Sequence, residues 1–399
     1  MIQSKKFKEF VAWIPSNDPN QLVSEPYDTL SEESARAILL EKPNNILRVT
    51  YPKVNITTDK EELRYLNVHK NCKNILLKMI KDKIIIQDSY RPSYYLYKLT
   101  TNTHTKIGIT VSVNINLYEE SRIIKHENVL QDIIQDRKTH FSTLNFQVGP
   151  VMLACFSDEY IFSLIEKFSN TNKSIVESRC FDTVHQIWKV EDKSLSKEIE
   201  EFLENKDYFY IIDGHHRIES ISRLAREQKM NYYFLATIFS MEQIKLYPFH
   251  KLIIFDSKSS VINLLDILNK NPYFTILEKD FLEGDSQFGV FILGKWYKIQ
   301  HNIQEKENKV LVDLLYNDIL PEISNIFGKY TIENVLQDKL YLKMNDYATN
   351  KNSVIFTLPT PNKRDFFSQK GYVAPPKSTC CNPKLADGLI MYDLKEGII

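Results

Sequence analysis

The stretch Tyr208 to Ala225, YFYIIDGHHRIESISRLA, changes its hydrophobic period in the middle. Tyr208 to Ile212 is an aromatic and β-branched run, the composition of a strand. Asp213-Gly214 supplies turn chemistry, and beyond it Ile218, Ile221 and Leu224 recur at helical spacing. A strand running directly into a helix is expected. The turn then sets Asp213, His215, His216 and Arg217 about the first helical turn, where backbone N–H groups and the positive end of the helix dipole favour an anion. Three potential donors and a carboxylate at such a place point to a phosphate site. The plainer alternative is a strand-turn-helix in which Asp213 caps the helix and the other side chains face solvent.

The segments on either side alternate in the same way. Upstream, Gly149 to Phe156 has the pattern of a buried strand, Asp158 to Phe168 of a helix, Ser174 to Val190 of two strands, and Ser194 to Asn205 of a helix. Downstream, Tyr232 to Ile238 and Lys251 to Phe255 are strand-like. Near the start, Ser31 is placed to cap a helix that stops before Pro43, which leaves Tyr27 and Asp28 in the loop before it. Glu61 to Lys81 has helical spacing, while Tyr94 to Leu99 and Lys106 to Val113 form adjacent strands across a polar turn. From Glu127 onward, Val129, Ile133 and Ile134 give a helical stripe, with Asp132, Asp136, Arg137 and His140 on other faces and Lys125, His126 and Glu127 at its N-terminal edge. Further on, Ser260 to Leu268 has the pattern of a helix. Phe288 to Ile299 forms a hairpin around Leu293-Gly294-Lys295, and Val310 to Phe327 a helix interrupted near Pro321. The fold class expected is α+β, a mixed α/β arrangement. Three segments, 1–115, 116–259 and 260–399, are expected to form one compact unit sharing a site.

Composition bounds the partners. The chain has 399 residues, 43% of them hydrophobic, which is ample for globular cores. Lysine plus arginine and aspartate plus glutamate number 51 each, so bulk charge draws the chain toward neither nucleic acid nor anionic lipid. Five cysteines without a CxxC pair suit a reducing compartment. The start has no apolar leader core and no window has the apolar length of a membrane span, so the expected location is the cytoplasm. Gly289 to Lys295 spells GxxxxGK, yet Trp296 replaces the Ser/Thr of a P-loop and the intervening residues belong in a strand. His215 and His216 are neighbours, so on a helix they diverge by about 100° and do not chelate one metal as an i, i+4 pair would. A hydrated Mg²⁺ needs only one or two protein carboxylates and stays compatible.

Five elements occur in order: Pro26-Tyr27-Asp28, Lys125-His126-Glu127 with Asp136-Arg137, Asp213 to Arg217, Trp296-Tyr297, and Pro375 to Thr379 with Pro383-Lys384. In that order they resemble a bacterial and archaeal family of unknown function, the domain family numbered ten-fifteen. This sequence departs from the pattern at Cys380-Cys381, where an aromatic pair is usual. The DGHHR centre also resembles that of free serine kinases in the ParB/sulfiredoxin superfamily, which implies a ParB/sulfiredoxin-like strand-turn-helix core with large N- and C-terminal additions. The resemblance implies a nucleotide-dependent phosphotransferase acting on free serine or phosphoserine, with Mg²⁺ and ATP or ADP. By this analogy Glu127 is the base, with Asp213 and His216 as further catalytic candidates and Asp213 as a metal ligand. Lys125, His126, Arg137, Gly214, His215, Arg217, Lys377, Ser378 and Thr379 would hold the nucleotide. Tyr27, Asp28, His185 and His250 would meet the small hydroxy amino acid or its phosphate ester. A phosphoserine phosphatase using the same cradle, and a non-catalytic nucleotide-binding regulator, are the alternatives.

Overall fold

The strand expected before Asp213 forms as Phe209–Asp213, and the helix after it as His215–Gln228. The structure, a computed structural model, describes residues 5–55, 64–156, 159–256, 261, 264–270, 274–278, 287–301, 311–363, 367 and 373–397. It has two compact units. One takes Met1–Lys125, Val129–Ile244 and Pro383–Ile399; the other takes His126–Asn128 and Lys245–Asn382.

The first unit is built on a mixed sheet of nine strands among the described residues. Its main path runs Ile123–Ile124, Phe209–Asp213, Val151–Cys155, Tyr233–Ser240, Thr105–Asn114, Tyr95–Thr100, Thr183–Lys189, Val176–Cys180, and Phe7–Lys8 adds beside Thr105–Asn114. Tyr233–Ser240 runs parallel to Val151–Cys155 and antiparallel to Thr105–Asn114. Every residue of Tyr233–Ser240 is buried, as continuous apolar runs in a sheet covered on both faces should be. The helices Gln131–Leu144 and His215–Gln228 lie against one another, and the Ser220 hydroxyl crosses between them to the Ile134 carbonyl at 3.1 Å. Ser31 caps Glu32–Glu41 as expected, accepting from the Ser34 N–H at 3.1 Å. Part of the Glu61 to Lys81 expectation, residues 61–63, lies outside the described residues, as do Asp158, residues 260, 262 and 263, and Val310; helices are described over Arg64–Lys81, Tyr160–Thr171 and Leu264–Lys270.

The second unit carries a sheet of six antiparallel strands among its described residues, ordered Phe274–Glu278, Lys295–His301, Gly289–Ile292, Ser353–Thr357, His250–Phe255, Tyr330–Val335. Strand alternation gives it two cores. Ile253, Phe255, Val354 and Phe356 meet Leu320 and Ile323 in one; Leu252, Phe291, Trp296 and Ile355 meet Leu340 and Met344 in the other. The GxxxxGK stretch is the hairpin expected, its turn formed by Leu293 and Gly294 at φ of 48° and 82°. Pro321 interrupts its helix through a widened turn over Leu315–Ile319, because proline offers no N–H for the regular ladder.

Two expectations about the segment after Lys125 are corrected. The helix begins at Gln131, leaving Glu127 outside it. Residues 126–128 are extended instead: the Ala374 N–H donates to the His126 carbonyl at 2.8 Å, and the Asn128 N–H to the Ala374 carbonyl at 2.9 Å. Arg137 and His140 share the buried face with Ile134 rather than lying apart from it, because they are satisfied there by polar groups described below. Among the described residues, no helix is long and apolar enough to cross a membrane, and all five cysteines are buried free thiols.

Candidate functional site

The turn at the end of strand Phe209–Asp213 is made by Gly214, whose φ of 99° places it in the left-handed region open to glycine. The helix that follows has no side-chain cap and no acidic residue in its first turn. Asp213 does not cap it. Its carboxylate instead meets Lys384 Nζ at 3.1 Å, and the same ammonium reaches Asp28 Oδ2 at 3.3 Å. Lys384 is almost fully buried; burial alone would lower its pKa, but Asp213 and Asp28 outweigh it and hold the ammonium charged. His216 accepts the Leu130 N–H at Nε2, 3.1 Å away, so that nitrogen carries no proton.

Arg217, expected to meet a phosphate, is committed inward. Nη2 donates to Asp387 Oδ1 at 2.9 Å and Nη1 to the Pro150 carbonyl at 3.1 Å. Asp387 is 1% exposed and its Oδ2 accepts no hydrogen bond from the described residues; burial pushes its pKa up while Arg217 pulls it down. Gly149 makes the pair possible, since a Cβ there would stand 2.0 Å from Asp387 Oδ1 and 3.0 Å from Arg217 Nη1.

Arg137 stacks on Tyr27, its guanidinium carbon 4.3 Å from the ring centroid, and donates to Asp136 Oδ2 at 2.7 Å and the Thr50 carbonyl at 3.1 Å. Asp136 in turn meets His69 Nε2 at 3.3 Å; burial would raise its pKa, but His69 and Arg137 hold it well below the carboxylate range. His140 is buried 3.3 Å from His69, and burial with the nearby Arg137 keeps it neutral. His185 contacts the Tyr97 hydroxyl at 3.0 Å, and burial, aided by Lys106, pushes its pKa down to about 3. The Tyr97 oxygen also accepts the Ala386 N–H at 3.0 Å, which ties this histidine to the segment bearing Asp387. Thus in the first unit Lys384 joins Asp28 to Asp213, while Tyr27 packs on Arg137 and Arg217 pairs with Asp387. Lys125 is exposed.

In the second unit, Glu127 lies within the Pro375 to Thr379 turn. The Ser378 N–H donates to Oε2 at 3.1 Å, and the neighbouring Lys377 and Thr379 amides favour the charged form of this carboxylate. Burial pushes its pKa up against those bonds. His126 Nε2 is 3.3 Å from Thr379 Oγ1. Lys251, wholly buried, donates to the Lys377 carbonyl at 2.6 Å and to Asn334 Oδ1 at 2.5 Å, and burial pushes its pKa down to about 7 although Glu127 opposes this. His250 donates from Nε2 to Gln337 Oε1 at 2.6 Å and accepts the Leu358 N–H at Nδ1, 3.0 Å away, with its pKa lowered by burial to about 4.

A family model described as "Protein of unknown function (DUF1015)" matches residues 8–317. The chain belongs to that family. No curated protein matches it. Solved structures similar to it include a conserved hypothetical protein from Pyrococcus furiosus (15% identity, 72% of this chain and 96% of that chain, TM-score 0.39). Others are a free serine kinase mutant in complex with ADP (15%, 73% and 95%, 0.40) and C-terminally truncated SbnI from Staphylococcus aureus (9%, 68% and 82%, 0.39). Likenesses this distant carry no activity over to this chain.

Lys384, Asp387, Gly149 and Lys251 are absent from the site residues assigned from the sequence. Lys384 stood inside the Pro383-Lys384 signature of the DUF1015 chain, so its signal was in view. For Lys251 the signal is a charge entering the apolar run Leu252 to Phe255, which only a buried, hydrogen-bonded ammonium reconciles. Asp387 and Gly149 carry no local signal.

Proposed function

We propose that this chain transfers a phosphoryl group between a nucleotide, ATP or ADP, and the hydroxyl of a small hydroxy amino acid, with free serine and phosphoserine as the pair. The phosphate would be held at the mouth of the His215–Gln228 helix. The observation that supports this most is the turn itself: a left-handed glycine directs a strand into a helix that starts with neither a side-chain cap nor a first-turn carboxylate. Such a terminus attracts phosphate. Strand, Asp-Gly turn and helix also follow one another as in the DGHHR element of the serine kinases that the sequence resembles.

Phosphoryl transfer asks chiefly for positioning and charge neutralisation. In this reading His215 and His216 flank the phosphate at the first helical turn. Lys384, paired with Asp213, brings a cation to the turn. Arg217 becomes a positioning residue, because its bonds to Asp387 and Pro150 fix the start of the helix against the Gly149 segment. Tyr27 and Asp28, gathered by Arg137 and Lys384, are left for the amino acid. A protein-held Mg²⁺ on Asp213 does not fit this donor set. The Lys384 ammonium already bridges Asp213 and Asp28, so both carboxylates are engaged by a cation of the chain itself.

The test is chromatographic. Protein incubated with serine and ATP or ADP should yield phosphoserine, and phosphoserine alone should stay intact. Serine released from phosphoserine without nucleotide would make the chain a hydrolase, and no turnover with any hydroxy amino acid would overturn the reading.

A further inference from the structure

The turn that carries Lys377, Ser378 and Thr379 is built as an anion nest, and a side chain of the same unit occupies it. Lys377 has a φ of 59°, the left-handed conformation that lets successive amides point to one side. Of those amides the Ser378 N–H donates to the Glu127 carboxylate at 3.1 Å, and its Lys377 and Thr379 neighbours favour the negative charge there. The turn is braced from behind: Ser378 Oγ donates to the Pro375 carbonyl at 2.6 Å, and Lys251 Nζ to the Lys377 carbonyl at 2.6 Å. Lys251 Nζ and Lys377 Nζ lie 5.7 Å and 5.8 Å from the centroid of the same ring, Phe249.

We propose that this nest is a phosphate-binding site for which Glu127 is a displaceable stand-in. When inorganic phosphate or a phosphate monoester enters, the carboxylate leaves the Ser378 amide and phosphoryl oxygens take its place. A phosphate offers three acceptor oxygens and close to two negative charges, where the carboxylate offers two oxygens and one. Lys251, bonded to the Lys377 carbonyl, is held by burial at a pKa of about 7, so a doubly charged anion in the nest would favour its protonated form and gain that charge. Departure of Glu127 needs no backbone change, because His126–Asn128 stays anchored by its two hydrogen bonds to Ala374 and only the side chain has to rotate. This inference concerns the second unit and stands apart from the phosphoryl-transfer reading.

Titration of the full chain with inorganic phosphate, phosphoserine or ADP, followed by calorimetry and by ¹⁵N amide shifts of Lys377, Ser378 and Thr379, tests it. Glu127→Ala should bind phosphate at least about tenfold more tightly than the natural chain, with those three amides moving on titration. A gain shared by all three ligands identifies the phosphate group as the ligand; a gain confined to ADP or to phosphoserine identifies the source of the phosphate. If Glu127→Ala does not fold, Glu127→Gln, which loses the charge and keeps an acceptor, should show a smaller gain of the same sign. Unchanged or weaker affinity, or amide shifts elsewhere with these three still, overturns the proposal. Loss of serine turnover would leave these readouts untouched.

Discussion

Gly149 and Arg217 illustrate what a single residue decides in this fold. Arg217 and Asp387 lie 170 positions apart, and no pattern of period or spacing links them. The bond exists because Gly149 leaves room for it. Gly149→Ala should therefore push Asp387 off Arg217 and leave two buried charges poorly paired, at a cost of about 3–5 kcal/mol in urea unfolding; a loss below about 0.5 kcal/mol, the range of ordinary surface changes, would contradict the geometry. Lys251 gives a second test, on pH. Burial pushes its pKa down to about 7 in the folded chain, below the ordinary 10.5 of a lysine, so between those values the unfolded chain binds the extra proton. The stability penalty of this lysine is full below pH 7 and relieved as pH rises toward 10. Unfolding measured at pH 7 and 9.5 should show the natural chain gaining stability relative to Lys251→Met, at up to about 1.4 kcal/mol per pH unit. Parallel profiles for the two proteins would show that Lys251 keeps an ordinary pKa.

Elements were legible wherever a local period carries them. The run Tyr208 to Ile212, the Asp213-Gly214 turn and the Ile218, Ile221, Leu224 stripe each specify their own conformation, so the strand and the helix form where their patterns lie. The helix expected from Glu127 starts four residues later because the pairing with Ala374, remote in sequence, draws residues 126–128 into extended backbone. His140 and Arg137 were set outside the apolar stripe because polarity alone says nothing about the partners, His69, Asp136 and Thr50, that let them be buried. The turn at Gly214 has its own prediction. A Cβ there meets Val151 atoms only at 3.4 Å, an ordinary contact, so the cost of Gly214→Ala is conformational. About 1–2 kcal/mol of stability should be lost for the left-handed φ, read as a lowered urea midpoint with the far-UV spectrum preserved. A midpoint unchanged from the natural chain would mean that the turn relaxes without glycine.

For the whole molecule, the sequence conveyed the mixed α/β class and the family, because strands and helices alternate and the signature segments occur in order. It could not convey that the units are discontinuous in the chain. Residues 383–399 return to the first unit, where Lys384 and Asp387 meet Asp213 and Arg217, and residues 126–128 join the second, where Glu127 enters the Ser378 turn. Such returns are set by long-range pairing of charges and backbone, which leaves no mark on local composition. The central claim is that the Gly214 turn receives a phosphoryl group, and ¹⁵N-glycine labelling tests it most directly because the chain has ten glycines. On titration with ADP, the Gly214 amide resonance should shift saturably and further than those of glycines far from it in sequence, such as Gly294 and Gly328. A Gly214 resonance that stays still while ADP saturates the protein, or that moves no more than Gly294 and Gly328, would contradict the account.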